Sequence, residues 1–108
     1  MKKFLALAAL AVAISVAIAV AIPAFAATTV RVDDDVFRPS SKTVSKGTTV
    51  RWRWVGDDPH NVTVRKGPAK FHSSTKRSGT FSKTMRRRGT YKIVCTIHPG
   101  MGMTLRVN

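Results

Sequence analysis

Glutamate is absent, and five Asp are the only acidic side chains against 19 Lys and Arg, for a formal charge of +14. The single Cys excludes an internal disulfide framework. Three His cannot furnish the second metal centre that an oxidase or reductase would need, so the chain is not read as an enzyme in its own right. After residue 26 there are one Leu, two Ala and no sustained helical period, which argues against a helical bundle. A length of 108 residues leaves room for one small domain. Apolar residues are unevenly spread: 22 of the 47 fall in residues 1–26, so the other 82 positions hold 25 and offer a thin core. A thin core without disulfides ordinarily needs a metal, oligomerisation or tight packing.

What is present begins with a leader. Lys2 and Lys3 precede an almost wholly apolar run from Phe4 to Ile22, interrupted only by Ser15. Pro23 and Ala24-Phe25-Ala26 follow, with the small residues at −3 and −1 that signal peptidase accepts. Residues 1–26 are therefore read as a secretory signal peptide cut after Ala26, ahead of a domain at 27–108. The run exceeds the roughly 7–15 residues of an ordinary signal core. It approaches the ~20 that span a bilayer as a helix, so an uncleaved anchor is the alternative. Either way the domain is expected to be exported, to a periplasmic space or the extracytoplasmic face of the membrane. No twin Arg is present in residues 1–26, which favours export of the unfolded chain and metal loading afterwards.

The rest reads as strands. Residues 27–108 contain 10 Val and 12 Thr, β-branched residues that suit a pleated, half-buried surface. Val50, Trp52 and Trp54 alternate with Thr49, Arg51 and Arg53, which predicts a strand with apolar groups inward and Arg outward. The same period marks Val30 with Val32, Val62 with Val64, and Leu105 with Val107. Tyr91, Ile93 and Cys95 share one face, with Val94 on the other. Turn signals at Ser45-Lys46-Gly47, Gly56-Asp57-Asp58-Pro59, Lys66-Gly67-Pro68, Arg77-Ser78-Gly79 and Arg88-Gly89 separate the runs. The expectation is an all-β, Greek-key β-sandwich, preceded by the apolar N-terminal signal or anchor helix. Gly67–Ser78 carries the least pattern and predicts a long loop, with room for one short turn of helix.

One segment concentrates the chemistry. Cys95-Thr96-Ile97-His98-Pro99-Gly100-Met101 offers a thiolate, an imidazole and a thioether, and Pro59-His60-Asn61-Val62 offers a second imidazole. Two His, one Cys and a weak Met are the donor set of a blue-copper electron-transfer site. Thiolate is soft and holds Cu(I), imidazole suits both oxidation states, and a distant thioether binds neither strongly. Taken singly, each residue has a plainer reading: Cys95 as buried packing, His60 and His98 as exposed loop histidines, Met101 as a core or rim methionine. A lone Cys with His at +3 and Met at +6 in an exported chain is hard to explain as packing, so His60, Cys95, His98 and Met101 are taken as the metal ligands. Met103 competes for the weak position, but its parity with Leu105 and Val107 assigns it to the core. His72 has no ligand spacing and is expected to be an exposed loop residue, and Met85 a partly buried one.

These pieces resemble the small blue copper proteins, the cupredoxins of the plastocyanin/amicyanin kind. The matching residues are Phe37-x-Pro39, Val44-x-x-Gly47-x-x-Val50-x-Trp52, Pro59-His60-Asn61-Val62, Gly79-x-Phe81, Gly89-x-Tyr91, Cys95-x-x-His98-x-x-Met101 and Leu105-x-Val107. The short Cys-to-Met spacing is similar to the amicyanin loop. The resemblance implies a cupredoxin-like sandwich holding one type 1 copper per chain, with His60 and His98 binding through Nδ1, Cys95 as thiolate and Met101 as the weak axial ligand. It also implies that Asn61 braces the ligand loops and aims its backbone amide at the Cys sulfur. Trp54 stands where the family often has Asn, and 34 residues separate His60 from Cys95, fewer than usual.

The function implied is one-electron transport between redox partners, with copper cycling between Cu(I) and Cu(II). A copper-handling protein without a redox circuit is the alternative. The resemblance places the ring edge of His98 at the surface, in an apolar patch with Pro59, Pro99 and Gly100, where partners would dock briefly. Residues 27–108 carry 17 basic and 5 acidic groups, or +12, with basic clusters at Arg65-Lys66 and Arg86-Arg87-Arg88. Such charge steers toward an acidic redox partner or an anionic membrane surface. Export and the lack of a stacking platform argue against nucleic acid. A monomer is expected.

Overall fold

The alternation of β-branched with charged residues becomes eight strands. The structure is a computed structural model in which residues 27–108 are described. The signal or anchor helix expected over 1–26 lies outside the described residues. The strands are β1 (Ala27–Asp33), β2 (Val36–Arg38), β3 (Ser41–Val44), β4 (Thr49–Trp54), β5 (Thr63–Lys66), β6 (Thr80–Thr84), β7 (Gly89–Val94) and β8 (Gly102–Val107). They form two four-stranded sheets, ordered β2-β1-β4-β6 and β3-β8-β7-β5, with no helix among the described residues.

Burial follows the predicted parity. β4 buries Val50, Trp52 and Trp54 and exposes Arg51 and Arg53. From the other sheet come Tyr91, Ile93, Met103, Leu105 and Val107, all buried. The sheets stack as the sandwich expected from the sequence. Trp52 links them: its Nε1 donates to Met103 Sδ at 3.4 Å, and its ring meets Phe71 and Phe81 at centroid distances of 6.0 and 5.8 Å. Burying an indole with its N–H partnered avoids the cost of an orphaned donor.

Register decides which residues share an end. β1 runs parallel to β4, with Ala27 beside Thr49 and Val32 beside Trp54. β7 runs antiparallel to β8, with Gly89 beside Val107 and Val94 beside Gly102. One end therefore collects the residues just after β1, β4 and β7, which are Asp34, the segment leading to His60, and Cys95. The other end collects Lys46, whose N–H donates to Asn108 O, and Gly47, whose N–H donates to Met85 O.

The Gly67–Ser78 stretch contains no turn of helix. It doubles back along β5 in extended form, with bridges pairing Thr63 to His72 and His60 to Lys76. Val64 N–H donates to Phe71 O, and Ser73 N–H to Val62 O. The reason is backbone demand: buried N–H and C=O groups around residues 60–64 need partners, which this stretch supplies. His72 is exposed as expected, whereas Met85 is fully buried rather than partly so.

Candidate metal centre

His60 is held by its backbone. It exchanges both main-chain hydrogen bonds with Lys76 at 3.0 Å, and its carbonyl also accepts Trp54 Nε1 at 3.2 Å. Its ring is completely buried. Trp54 thus does more than fill volume, because it anchors the segment that carries the imidazole. Cys95 follows β7 directly and is buried. Its N–H donates to Met101 O at 3.0 Å, and Met101 N–H donates to His98 O at 3.1 Å, which closes the loop on itself. Gly100 makes that closure with φ of 87°, a left-handed conformation that a side chain would strain.

The donors converge. Cys95 Sγ lies 3.5 Å from His98 Nδ1 and 4.0 Å from His60 Nδ1, and the two Nδ1 atoms are 3.1 Å apart. Met101 is buried and lines the same cavity as Cys95 and His98. Met103 stays in the core, its sulfur engaged by Trp52, as its parity predicts.

On the far side of each ring stands a carboxylate. Asp34 Oδ1 is 3.2 Å from His60 Nε2, and Asp35 Oδ1 is 3.4 Å from His98 Nε2. A carboxylate hydrogen-bonded to Nε2, as Asp34 is to His60, favours the tautomer that leaves Nδ1 free for a metal, while Asp35 stands near His98 as a looser, exposed charge. With that tautomer the lone pairs of both Nδ1 atoms and the Cys95 sulfur are directed at one common point. Such a set is stable around a cation. An ion held at roughly 2.0 Å from imidazole and 2.3 Å from thiolate would separate trigonal donors by about 3.5–3.8 Å, near what is observed. The residues fit copper in donor chemistry and spacing.

Asn61 ties the segments together. Its Nδ2 donates to Thr75 Oγ1 at 3.1 Å and Thr96 Oγ1 at 2.8 Å. Its Oδ1 accepts from Thr63 Oγ1 at 2.8 Å and Thr96 N–H at 3.1 Å. Its backbone N–H points at Cys95 Sγ from 3.5 Å. Asp34 is itself held ionised. The backbone N–H groups of Asp58 and Asp57, and then His60, keep its carboxyl below the usual carboxylate range.

His60, Cys95 and His98 are thus brought together, with Met101 beside them. The carboxylates of Asp34 and Asp35 and the hydroxyls of Thr75 and Thr96 were not anticipated. The signal for the first pair was available: every Asp of this basic chain lies in 33–35 or 57–58. The threonines carried none.

Comparison with known proteins agrees with this geometry. The sequence profile of copper-binding proteins of the plastocyanin/azurin family matches residues 26–108. Halocyanin of Natronomonas pharaonis is 38% identical over 72 residues, covering 62% of this chain and 44% of that protein. The chain therefore matches less than half the length of that relative. A point mutant of amicyanin in its reduced state superposes with a TM-score of 0.68 at 29% identity, covering 76% of this chain and 82% of that chain. The copper-containing nitrite reductase of Thermus scotoductus SA-01 gives 0.65 at 26% identity, covering 75% of this chain but 22% of that enzyme.

Proposed function

The chain belongs to the plastocyanin/azurin family of copper-binding proteins, and from that premise we propose that it is an exported one-electron carrier. The family consists in general of electron carriers rather than enzymes. The observation that carries the reading is the meeting of one thiolate and two Nδ1 atoms within 4.8 Å of one another in a mostly buried pocket.

Bound copper supplies the Cu(II)/Cu(I) couple. The chain's own residues do the remainder. His60, Cys95 and His98 would hold the ion, with Met101 as the weak fourth donor. Their backbones are tied by hydrogen bonds, so the donors keep one arrangement for both oxidation states and little rearranges when an electron moves. Burial of His60, Cys95 and Met101 keeps water out. The His98 side chain retains 27% of its exposure and offers the route to a partner. Beside it Pro99 and Gly100 are exposed, and Ile97 is 46% exposed, while Pro59 is only half-exposed. This is the apolar patch on which a redox partner would dock briefly. The net charge of 27–108 favours an acidic partner or an anionic membrane surface at long range. Residues 1–26 would deliver the domain across the membrane as a cleaved signal or retained anchor.

Purified protein titrated with Cu(II) should develop the intense blue thiolate-to-copper absorption, lost in Cys95→Ala. Voltammetry should give a fast, reversible one-electron wave. A colourless protein that binds Cu(I) tightly would overturn the carrier reading in favour of copper handling.

A further inference from the structure

We infer that the Asp34-Asp35 turn is a positioning element that acts through both imidazoles and biases the centre toward its oxidised state. The inference rests on the copper reading above and adds to it residues outside the donor set. Two consecutive carboxylates reach two different rings from one turn, Asp34 to His60 Nε2 at 3.2 Å and Asp35 to His98 Nε2 at 3.4 Å.

The placement of Asp34 is over-determined. Its carboxylate accepts the N–H of Asp57 through both oxygens, at 3.0 and 3.1 Å, and the N–H of Asp58 at 2.8 Å. Gly56 makes room for it: a Cβ built there would overlap the Asp34 carboxylate and come within 2.8 Å of Asp34 N. Asp35 sits at φ of 62°, a left-handed conformation that Asp tolerates better than most residues, and this turns its side chain toward His98. A carboxylate on Nε2–H fixes ring rotation and tautomer and raises the electron donation of Nδ1. Two added negative charges favour the more positive ion.

The two arms differ in setting. The Asp34 arm ends on a fully buried ring, whereas Asp35 is 68% exposed and its arm is open to salt. Losing the partner of a ligating His costs ~10–100-fold in metal affinity. Asp34→Asn keeps an acceptor oxygen and removes the charge. It should weaken Cu(II) relative to Cu(I) by about tenfold, which raises the reduction potential by about 59 mV for a one-electron couple. Gly56→Ala should shift the potential in the same direction with the aspartate intact. Asp35→Asn should give a smaller rise that disappears as ionic strength increases, and its exposed side chain keeps the test open if Asp34→Asn is unstable. In metal-free protein, 15N NMR should find His60 as the Nε2–H tautomer in the wild type and a mixture in Asp34→Asn.

Unchanged potentials in Asp34→Asn, Gly56→Ala and Asp35→Asn, in protein that is still blue, would overturn the inference and leave the copper reading standing. A wild type that never turns blue would defeat the copper reading instead. The tautomer measurement would then still decide whether Asp34 positions His60, and an Nδ1–H ring in the wild type would refute it.

Discussion

The two ends of the sandwich are built differently. At the end away from the donors the buried side chains are mostly apolar, namely Val44, Met85, Leu105 and Val107, with Thr48 the polar exception. Lys46 and Arg86-Arg87-Arg88 there stand exposed. At the donor end the buried set includes His60, Asn61 and Ser73, and no buried side-chain nitrogen or oxygen among the described residues lacks a partner. One end is closed by packing, which is forgiving of shape. The other is closed by a hydrogen-bond network, which is worth most when complete and loses heavily when one member is removed. The metal end needs buried polar side chains that a core would normally avoid.

The largest effect should separate stability from the site. Leu105 is fully buried in β8, opposite Tyr91, and contacts none of the donors through a hydrogen bond. Leu105→Ala should cost about 2–5 kcal/mol in denaturant unfolding, from lost burial plus the cavity left behind. The blue absorption of the folded variant should be unchanged. Loss of colour at full folding would mean that the two ends are not independent.

Asn61→Ala should do the reverse. It strips Thr96 N–H and three hydroxyls of partners across three segments. The stability cost should be about 1 kcal/mol, the net worth of hydrogen bonds whose other partners, Thr63, Thr75 and Thr96, are half-buried or exposed and can turn to water. Unlike Leu105→Ala, it should also alter the copper spectrum, because the Asn61 backbone amide aimed at Cys95 Sγ would no longer be fixed.

The asymmetry also explains what the sequence disclosed. Period-two alternation identified Val30, Val50, Trp52, Ile93 and Leu105 as inward, because packing on a pleated sheet depends on nothing but parity. The donors were legible because Cys95, His98 and Met101 lie on one short loop and His60 carries a local signature. Partnerships between distant segments were not. Nothing local says that Asp34 meets a residue 26 positions away, or that Thr75 meets Asn61. The Gly67–Ser78 stretch lacks an apolar alternation because it lies at the surface, with Ser73 its one buried residue, so parity leaves no mark on its composition.

A finer contrast divides the two methionines. Met101 lines the donor cavity, while Met103 accepts the Trp52 indole N–H between the sheets. Met101→Leu should raise the reduction potential with little effect on unfolding, because Cu(II) loses a weak donor. Met103→Leu should leave the potential nearly unchanged and cost about 1 kcal/mol, since sulfur is a weak acceptor but the buried indole is left without any. A larger potential shift in Met103→Leu would reverse the axial assignment.

The smallest effect concerns acid. All five Asp lie at 33–35 and 57–58, and none lies at the basic end. Asp34 has its carboxyl held below the ordinary 3.8 by the N–H groups of Asp58 and Asp57 and by His60. A carboxyl depressed on folding binds more protons in the unfolded chain, so its contribution to stability is present above the unfolded value. That contribution drains away as pH falls through the folded value. Metal-free wild type should therefore lose stability more steeply below pH 3.8 than Asp34→Asn, whose amide does not titrate. Hydrogen exchange should locate the loss: the amides of Asp57 and Asp58, which donate to Asp34, should open in acid before those of Gly47 and Asn108, which donate to backbone carbonyls at the other end. Simultaneous opening would mean that acid acts on the sandwich as a whole, and the division between its ends would then be one of composition alone.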